Sequence, residues 1–419
     1  MRPATFEKGS HMHARSRGSA LVAIAAISAV ALSGCAAEAT GAAGGGEVPA
    51  RSDDVVSVIN GLPEELKSQY DGATSSVVLS SYADFAAVEG PWKLCYSDSY
   101  QGNAWRVAVS NELERLSAQY EQEGLVSDFQ VAVSENDVAR QSQQIRQFVD
   151  QGCSAIITIA GSSTGLNEAI GYAGDQGVPV VTIAGSVTSE DAVNVDSNYS
   201  VLGADLATAA ADASDSVLMV KGIEGNPIAV QQNDAAKAVW AEEGTNVVAE
   251  VNGDWTPSVT KEAVLSAITT NPAEIGAVWS TGSETAIIAQ TFLDAGREVP
   301  LVTGSITGDA LGFWKENPDD FVFDGVALTP NWTAQTGFNV AMRILAGNGP
   351  LLSTLMVPVP AITNADFEGM WKPCMTPDAV SVFPVVPNDP LPSDLMDAYF
   401  TTAGAVGPFD YSQSPDPCA

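Results

Sequence analysis

The feature that most constrains this chain is a repeated alternation of short apolar runs with amphipathic stretches, beginning at Trp92. Trp92 to Tyr96 reads as a strand, and residues 103–121 then place Val109, Leu113, Leu116 and Tyr120 at helical spacing. Phe129, Val131 and Val133 alternate as a second strand, followed by a helix over 137–150 with Val138, Ile145 and Val149 on one side. Gly152 ends that helix before Ala155-Ile156-Ile157-Thr158-Ile159, which reads as a buried strand. A helix over 164–176 stops at Gly177, before a strand over 178–183. The pattern restarts with strands predicted at 216–220, 246–251, 277–280 and 299–304, and helices at 227–243, 257–270, 284–296 and 333–346. Strands separated by helices imply right-handed βαβ units and parallel sheets. Some 330 residues of such alternation, about twice a typical domain, exceed one core, so the expectation is an α/β chain of two lobes.

The segment before this body carries a different signal. Arg15 and Arg17 precede the apolar run Ala20 to Leu32, which ends in Leu32-Ser33-Gly34-Cys35. A basic start, a short apolar run and small residues before a cut describe a secretory signal over 1–34, too short for a membrane span. The ending resembles the bacterial lipobox, which implies that Cys35 is lipidated and that the protein is exported and held by lipid to the outer face of the cell membrane. Gly9-Ser10-His11-Met12 looks like a cloning scar, and the signal reads normally from Met12. Residues 35–54 are small and polar, a flexible tether. Residues 55–90, with a helix start at Pro63-Glu64-Glu65, read as an N-terminal extension.

Four of the 18 Lys/Arg and one of the 51 Asp/Glu precede Cys35, leaving 14 and 50 and a net charge of −36 after the cut. Such a surface repels nucleic acid and anionic lipid, so neither is an expected partner and contact with the membrane is through the lipid alone. Both histidines, His11 and His13, also lie before the cut. Their loss removes Ser-His and Cys-His nucleophile pairs and histidine metal ligands, and neither cofactor nor metal is expected. Carboxylate chemistry stays open, with Asp98 and Glu284 as the pair to consider. Cys95, Cys153, Cys374 and Cys418 permit two disulfides in three pairings. Cys374 and Cys418 flank Pro-rich sequence without a core of its own and are expected to pair, leaving Cys95 with Cys153.

Pockets of open α/β sheets form beyond the carboxyl ends of the strands. That rule selects the loops 97–105, 161–165, 184–187, 222–232, 252–257, 281–284, 305–308 and 329–333. Several hold a tryptophan beside amides and hydroxyls, which suits a neutral, hydroxyl-rich or ring-shaped solute. Gly161-Ser-Ser-Thr-Gly165 lacks the lysine of a phosphate-binding loop, so a nucleotide is not expected.

With these loops placed, the chain resembles the sugar-type, ribose-binding-like type I periplasmic solute receptors. The likeness rests on Cys95-Tyr-Ser-Asp-Ser-Tyr-Gln-Gly-Asn-Ala-Trp-Arg106, Asn136-Asp-Val-Ala-Arg-Gln, Gln151-Gly-Cys-Ser-Ala-Ile-Ile157 and Gly177-Val-Pro-Val-Val-Thr182. Gly253-Asp-Trp-Thr256, Pro272-Ala-Glu-Ile-Gly-Ala-Val-Trp279 and Pro360-Ala-Ile-Thr363 follow in the same order. The resemblance implies two Rossmann-like lobes with parallel sheets joined by a three-strand hinge, the solute clamped between them by hinge closure. Lobe 1 is then expected at 91–195 plus 328–365, lobe 2 at 196–327 plus 366–385, and a tail at 386–419 packed on the lobes. It also implies a monomer that delivers its solute to an ABC permease and its ATPase. The usual Asp-Arg pair after the fourth strand is replaced by Ala184-Gly185, the second-lobe arginine by Gln232, and the cleft aspartate by Gly282-Ser283.

The expected ligand-binding residues are Tyr100, Asn103, Trp105, Arg106, Ser163, Gln232, Trp255, Glu284, Asn331 and Trp332. Trp105 carries an aromatic expected to stack on the solute, and the amides and hydroxyls are expected to hydrogen-bond it. A sugar or polyol is the first expectation and a nucleoside-like or aromatic compound the second. A sensor lipoprotein of the same fold and a carboxylate hydrolase are the other functional readings.

Overall fold

Asn103, Asp137 and Asn226 each accept a backbone N–H from the turn that follows, and each opens a helix. The computed structural model describes residues 50–419 except 272 and 273. The signal segment, Cys35, most of the tether and the start of the 272–279 motif lie outside the described residues. The N-terminal extension forms α1 (Asp53–Gly61) and α2 (Glu64–Lys67). There follow β1 (Trp92–Asp98), α3 (Ala104–Gln122), β2 (Val126–Val133), α4 (Val138–Asp150), β3 (Ala155–Ile159), α5 (Asn167–Asp175), β4 (Val180–Ile183) and β5 (Ala192–Asp196). The second series is α6 (Tyr199–Ala213), β6 (Ser216–Lys221), α7 (Pro227–Glu243), β7 (Asn246–Asn252), α8 (Pro257–Thr270), β8 (Ala277–Trp279), α9 (Thr285–Asp294), β9 (Leu301–Val302) and α10 (Gly308–Glu316). Last come β10 (Asp324–Val326), α11 (Pro330–Leu345), β11 (Thr354–Met356), β12 (Ala361–Thr363), α12 (Phe367–Met370) and α13 (Ser393–Met396).

Six parallel strands in the order β11-β5-β4-β3-β1-β2 form the first sheet, and β7-β6-β8-β9, also parallel, the second. Each sheet has a core on both faces. Leu94 and Tyr96 of β1 enter one core and Cys95 the other, and Val217 and Met219 of β6 are divided in the same way from Leu218 and Val220. Strands covered on both faces are buried and mostly apolar along their length, which explains β3, buried at every position and apolar but for Thr158. The chain passes between the sheets three times: from β5 to α6, from β10 to α11, and from β11 to β12, which pairs antiparallel with β10. This is the two-lobed α/β arrangement expected from the sequence.

Both disulfides, Cys95–Cys153 and Cys374–Cys418, are present as expected. Strand β5, strand β11, helix α6 and helix α10 were not read from the sequence. Helices α6 and α7 pack so closely that a Cβ on Gly203 would lie 2.6 Å from the Gln232 backbone, so a glycine is needed there.

Candidate ligand-binding site

Strand order reverses between β1 and β3 in the first sheet and between β6 and β8 in the second, which places a crevice at the carboxyl end of each pair. In the first lobe that end carries Asp98 and Ser99, and the first turn of α3 brings Arg106 onto them. Arg106 Nη1 donates to Asp98 Oδ1 at 2.7 Å and to Ser99 Oγ at 3.1 Å, while the Tyr100 amide donates to the same carboxylate oxygen at 3.2 Å. Asp98 is wholly buried, and its Oδ2 has no partner. Burial pushes its pKa up, and the guanidinium opposes the shift. The same strand ends add Asp196, which accepts from Ser186 Oγ and whose pKa is likewise raised by burial.

In the second lobe Asp254 and Trp255 follow β7 in left-handed conformation, at φ 53° and 49°. Two such residues in succession store backbone strain of the kind concentrated at binding loops. The Trp255 indole lies against Gly222, where any Cβ would clash with the ring. Its Nε1 points to Thr281 Oγ1 at 3.4 Å, and that hydroxyl donates to Gln232 Oε1 at 2.9 Å. Gly282 leaves the space in which the Glu284 carboxylate meets the edge of the indole. Glu284 is buried, and desolvation, aided by neighbouring Asp309, pushes its pKa up to about 7. Asp309 is also buried, with one oxygen unpartnered.

The two halves meet at the second crossover. Leu328 N donates to Ser305 Oγ at 3.3 Å, and Leu328 O accepts from Trp105 Nε1 at 2.9 Å, so a short hydrogen-bonded chain joins the end of β9 to α3. Across the cleft, a Cβ on Gly185 would lie 3.7 Å from Ile228 Cδ1 in the first turn of α7.

Of the expected residues, Trp105 and Arg106 cluster on one side and Gln232, Trp255 and Glu284 on the other. Tyr100, half-buried, folds over Gly102 beside them. Asn103 serves as the N-cap of α3, accepting from the Arg106 amide at 2.9 Å. Ser163 accepts through its carbonyl from the Thr188 amide at 2.8 Å, and Asn331 is half-buried in the first turn of α11. Trp332 packs into the core of the first lobe with Nε1 on Asp389 Oδ1 at 3.3 Å. Sequence reasoning passed over Ser186, Asp196 and Asp309, although each stands at a strand end or in the first turn after one.

A periplasmic binding protein domain matches residues 96–349. The chain belongs to the periplasmic binding protein family. Periplasmic binding proteins are non-enzymatic solute receptors, so this one is a solute-binding protein and not an enzyme. The family implies a small-molecule ligand and a place outside the cytoplasm. The hydrolase reading of Asp98 and Glu284 falls with it. The fold is similar to that of an ABC transporter solute-binding protein from Thermobispora bispora (24% identity, 68% of this chain and 90% of that one, TM-score 0.60). It is also similar to a solute-binding protein from Bacillus halodurans with bound myo-inositol (17%, 68% and 98%, 0.58). A third is the periplasmic ribose ABC transporter protein from Conexibacter woesei (21%, 68% and 95%, 0.56). No curated protein sequence matches the chain.

Proposed function

We propose that this periplasmic binding protein captures a neutral, hydroxyl-rich solute, a sugar or polyol, between its lobes and delivers it to an ABC importer from a lipid anchor at Cys35. The observation that carries the reading is the placing of one indole on each lobe at strand carboxyl ends: Trp105 with Arg106 on the first, Trp255 with Gln232 and Glu284 on the second. Flat aromatic faces with a few convergent polar groups are what ring-shaped polyhydroxy ligands require. A clamp needs contacts from both lobes, because only a ligand that distinguishes closed from open shifts the equilibrium. A related fold with bound myo-inositol and another named as a periplasmic ribose ABC transporter support the same class. Where Ala184-Gly185 replace the usual charged pair, Arg106 and Asp98 supply a guanidinium and a carboxylate from β1 and α3 instead.

The test is a thermal-shift screen over sugars, polyols, nucleosides and aromatic compounds, followed by calorimetric titration of the best hit. A ligand at 100 times its Kd adds about 2.7 kcal/mol to stability, well within reach of such a screen. Trp105→Ala and Trp255→Ala are each expected to weaken binding by about 1–3 kcal/mol. Trp240→Ala is expected to lower stability instead. That indole is buried, donates to Ala207 O at 3.0 Å and packs edge-on to Trp279. Parent-like affinity in both cleft variants while folded would remove this site.

The anchor has its own check. Cys35→Ala is expected to move the exported protein from the membrane pellet to the soluble fraction. A variant that pellets like the parent refutes lipidation.

A further inference from the structure

We infer that the C-terminal segment is a disulfide-closed strap across the two lobes that limits how far they can open. Residues 367–386 belong to the second lobe: Phe367, Met370, Met375 and Val386 lie in the core behind the second sheet, and Cys374 packs against it. The Gly308 amide donates to Val382 O at 2.8 Å, holding this stretch on α10. The chain then leaves for the other lobe. Leu391, Met396, Tyr399 and Phe400 enter the first lobe's core, and Val406, Phe409 and Tyr411 pack beside them. Gln119 Nε2 donates to Pro408 O at 3.4 Å and Gln335 Nε2 to Ser414 Oγ at 3.2 Å, fixing the segment on α3 and α11.

Within four residues the chain returns. Asp416 pairs with Lys372 at 3.2 Å, and Cys418 is joined to Cys374. The lobes are therefore tied by two further passages besides the three crossovers, and the disulfide closes them into a loop. Both are short. Val386 to Leu391 spans at most roughly 17 Å when extended, and Ser414 to Cys418 roughly 14 Å. Pro387 and Pro390 stiffen the first, Pro415 and Pro417 the second. A three-crossover hinge without the strap is free to open until packing stops it. With the strap, separation beside α3 and α11 is capped by the reach of these passages.

The experiment reads the distance between labels placed on the lobes at exposed Glu190 and Glu262 by non-cysteine chemistry, in ligand-free protein. Cys374→Ser/Cys418→Ser is expected to shift the distribution to longer distances and broaden it. A second variant inserts six Gly/Ser residues between Ser414 and Pro415, keeping the disulfide and both docked ends while lengthening the return passage by up to about 20 Å. It is expected to widen the distribution in the same direction. Cys95→Ser/Cys153→Ser, which breaks a bond inside the first lobe, is expected to leave the mean unchanged. Should the Cys374 and Cys418 variant fail to fold, the insertion decides. A folded insertion variant whose distribution superimposes on the parent's overturns the strap. The readout needs no solute, so it stands or falls separately from the identity of the ligand.

Discussion

Asp397→Ala is expected to cost about 3–5 kcal/mol of stability, the largest single loss among the substitutions considered. Arg343 lies on α11 with no exposed surface, its Nη1 2.7 Å from Asp397 Oδ1, its Nε on Asn339 Oδ1 at 3.3 Å, and its guanidinium 4.6 Å above the Phe400 ring. Asp397 also accepts the Gly404 amide at 2.9 Å, so the same carboxylate joins the end of the chain to α11 and closes a turn within that end. Removing it leaves a buried cation without a counter-ion, and the desolvation already spent on that cation is no longer offset. Replacing both partners by apolar groups is far milder, because no buried charge then remains. Arg343→Met/Asp397→Leu is therefore expected to recover most of the loss. Urea denaturation of the three proteins measures this; a cost below about 1 kcal/mol for Asp397→Ala would mean that the pair is hydrated and contributes as surface pairs do.

Where the sequence is locally explicit, the fold could be read. β3 is apolar at every position but Thr158 because helices cover both its faces, and α3 carries Val109, Leu113, Leu116 and Tyr120 at one side. Elements that depend on distant partners were not legible. β11 has three residues and owes its strand form to β5, a neighbour more than 150 residues away in sequence. α6 is alanine-rich and carries no sharp apolar stripe, because both α7 and the second sheet cover it. α10 contains Gly308 and Gly312, which read as breakers but stand where Val382 and Thr376 press on the helix. The site was legible as loops and only partly as residues. The strand-end rule picks out Trp105, Arg106, Trp255 and Glu284 of the proposed site, because each follows a strand that hydrophobicity reveals. It missed Asp196 because β5 itself was missed. It also gave Trp332 and Trp255 equal standing, since nothing local says which of two strand-end indoles turns into the core.

Glu284→Gln is expected to stabilise the ligand-free protein above neutral pH and to leave it unchanged in acid. The folded-state pKa of Glu284 is raised from 4.5 to about 7, first by burial and then by the charge of Asp309. As pH rises, the unfolded chain therefore releases this proton before the folded one does. Below about pH 4.5 both states hold it and it contributes nothing to the pH dependence. Between about 4.5 and 7 the unfolded state is increasingly favoured, and above 7 the penalty is constant at about 3 kcal/mol, since each pKa unit is worth about 1.4 kcal/mol. Glutamine keeps the shape and the acceptor oxygen that faces the Ser283 and Glu284 amides but never ionises. Parent and variant should melt together at pH 4 and separate progressively, the variant becoming the more stable by pH 8. Such a penalty, held beside Trp255 in the loop proposed to bind solute, is the form in which stability is given up for a site that becomes satisfied only on binding. A solute that donates hydrogen bonds to the Glu284 carboxylate would lower its pKa, so binding near pH 6.5 is expected to release protons. Calorimetry in buffers of different ionisation enthalpy reads that release directly. Parallel melting curves from pH 4 to 8, with no proton released on binding, would show that Glu284 stays ionised and hydrated in the open cleft.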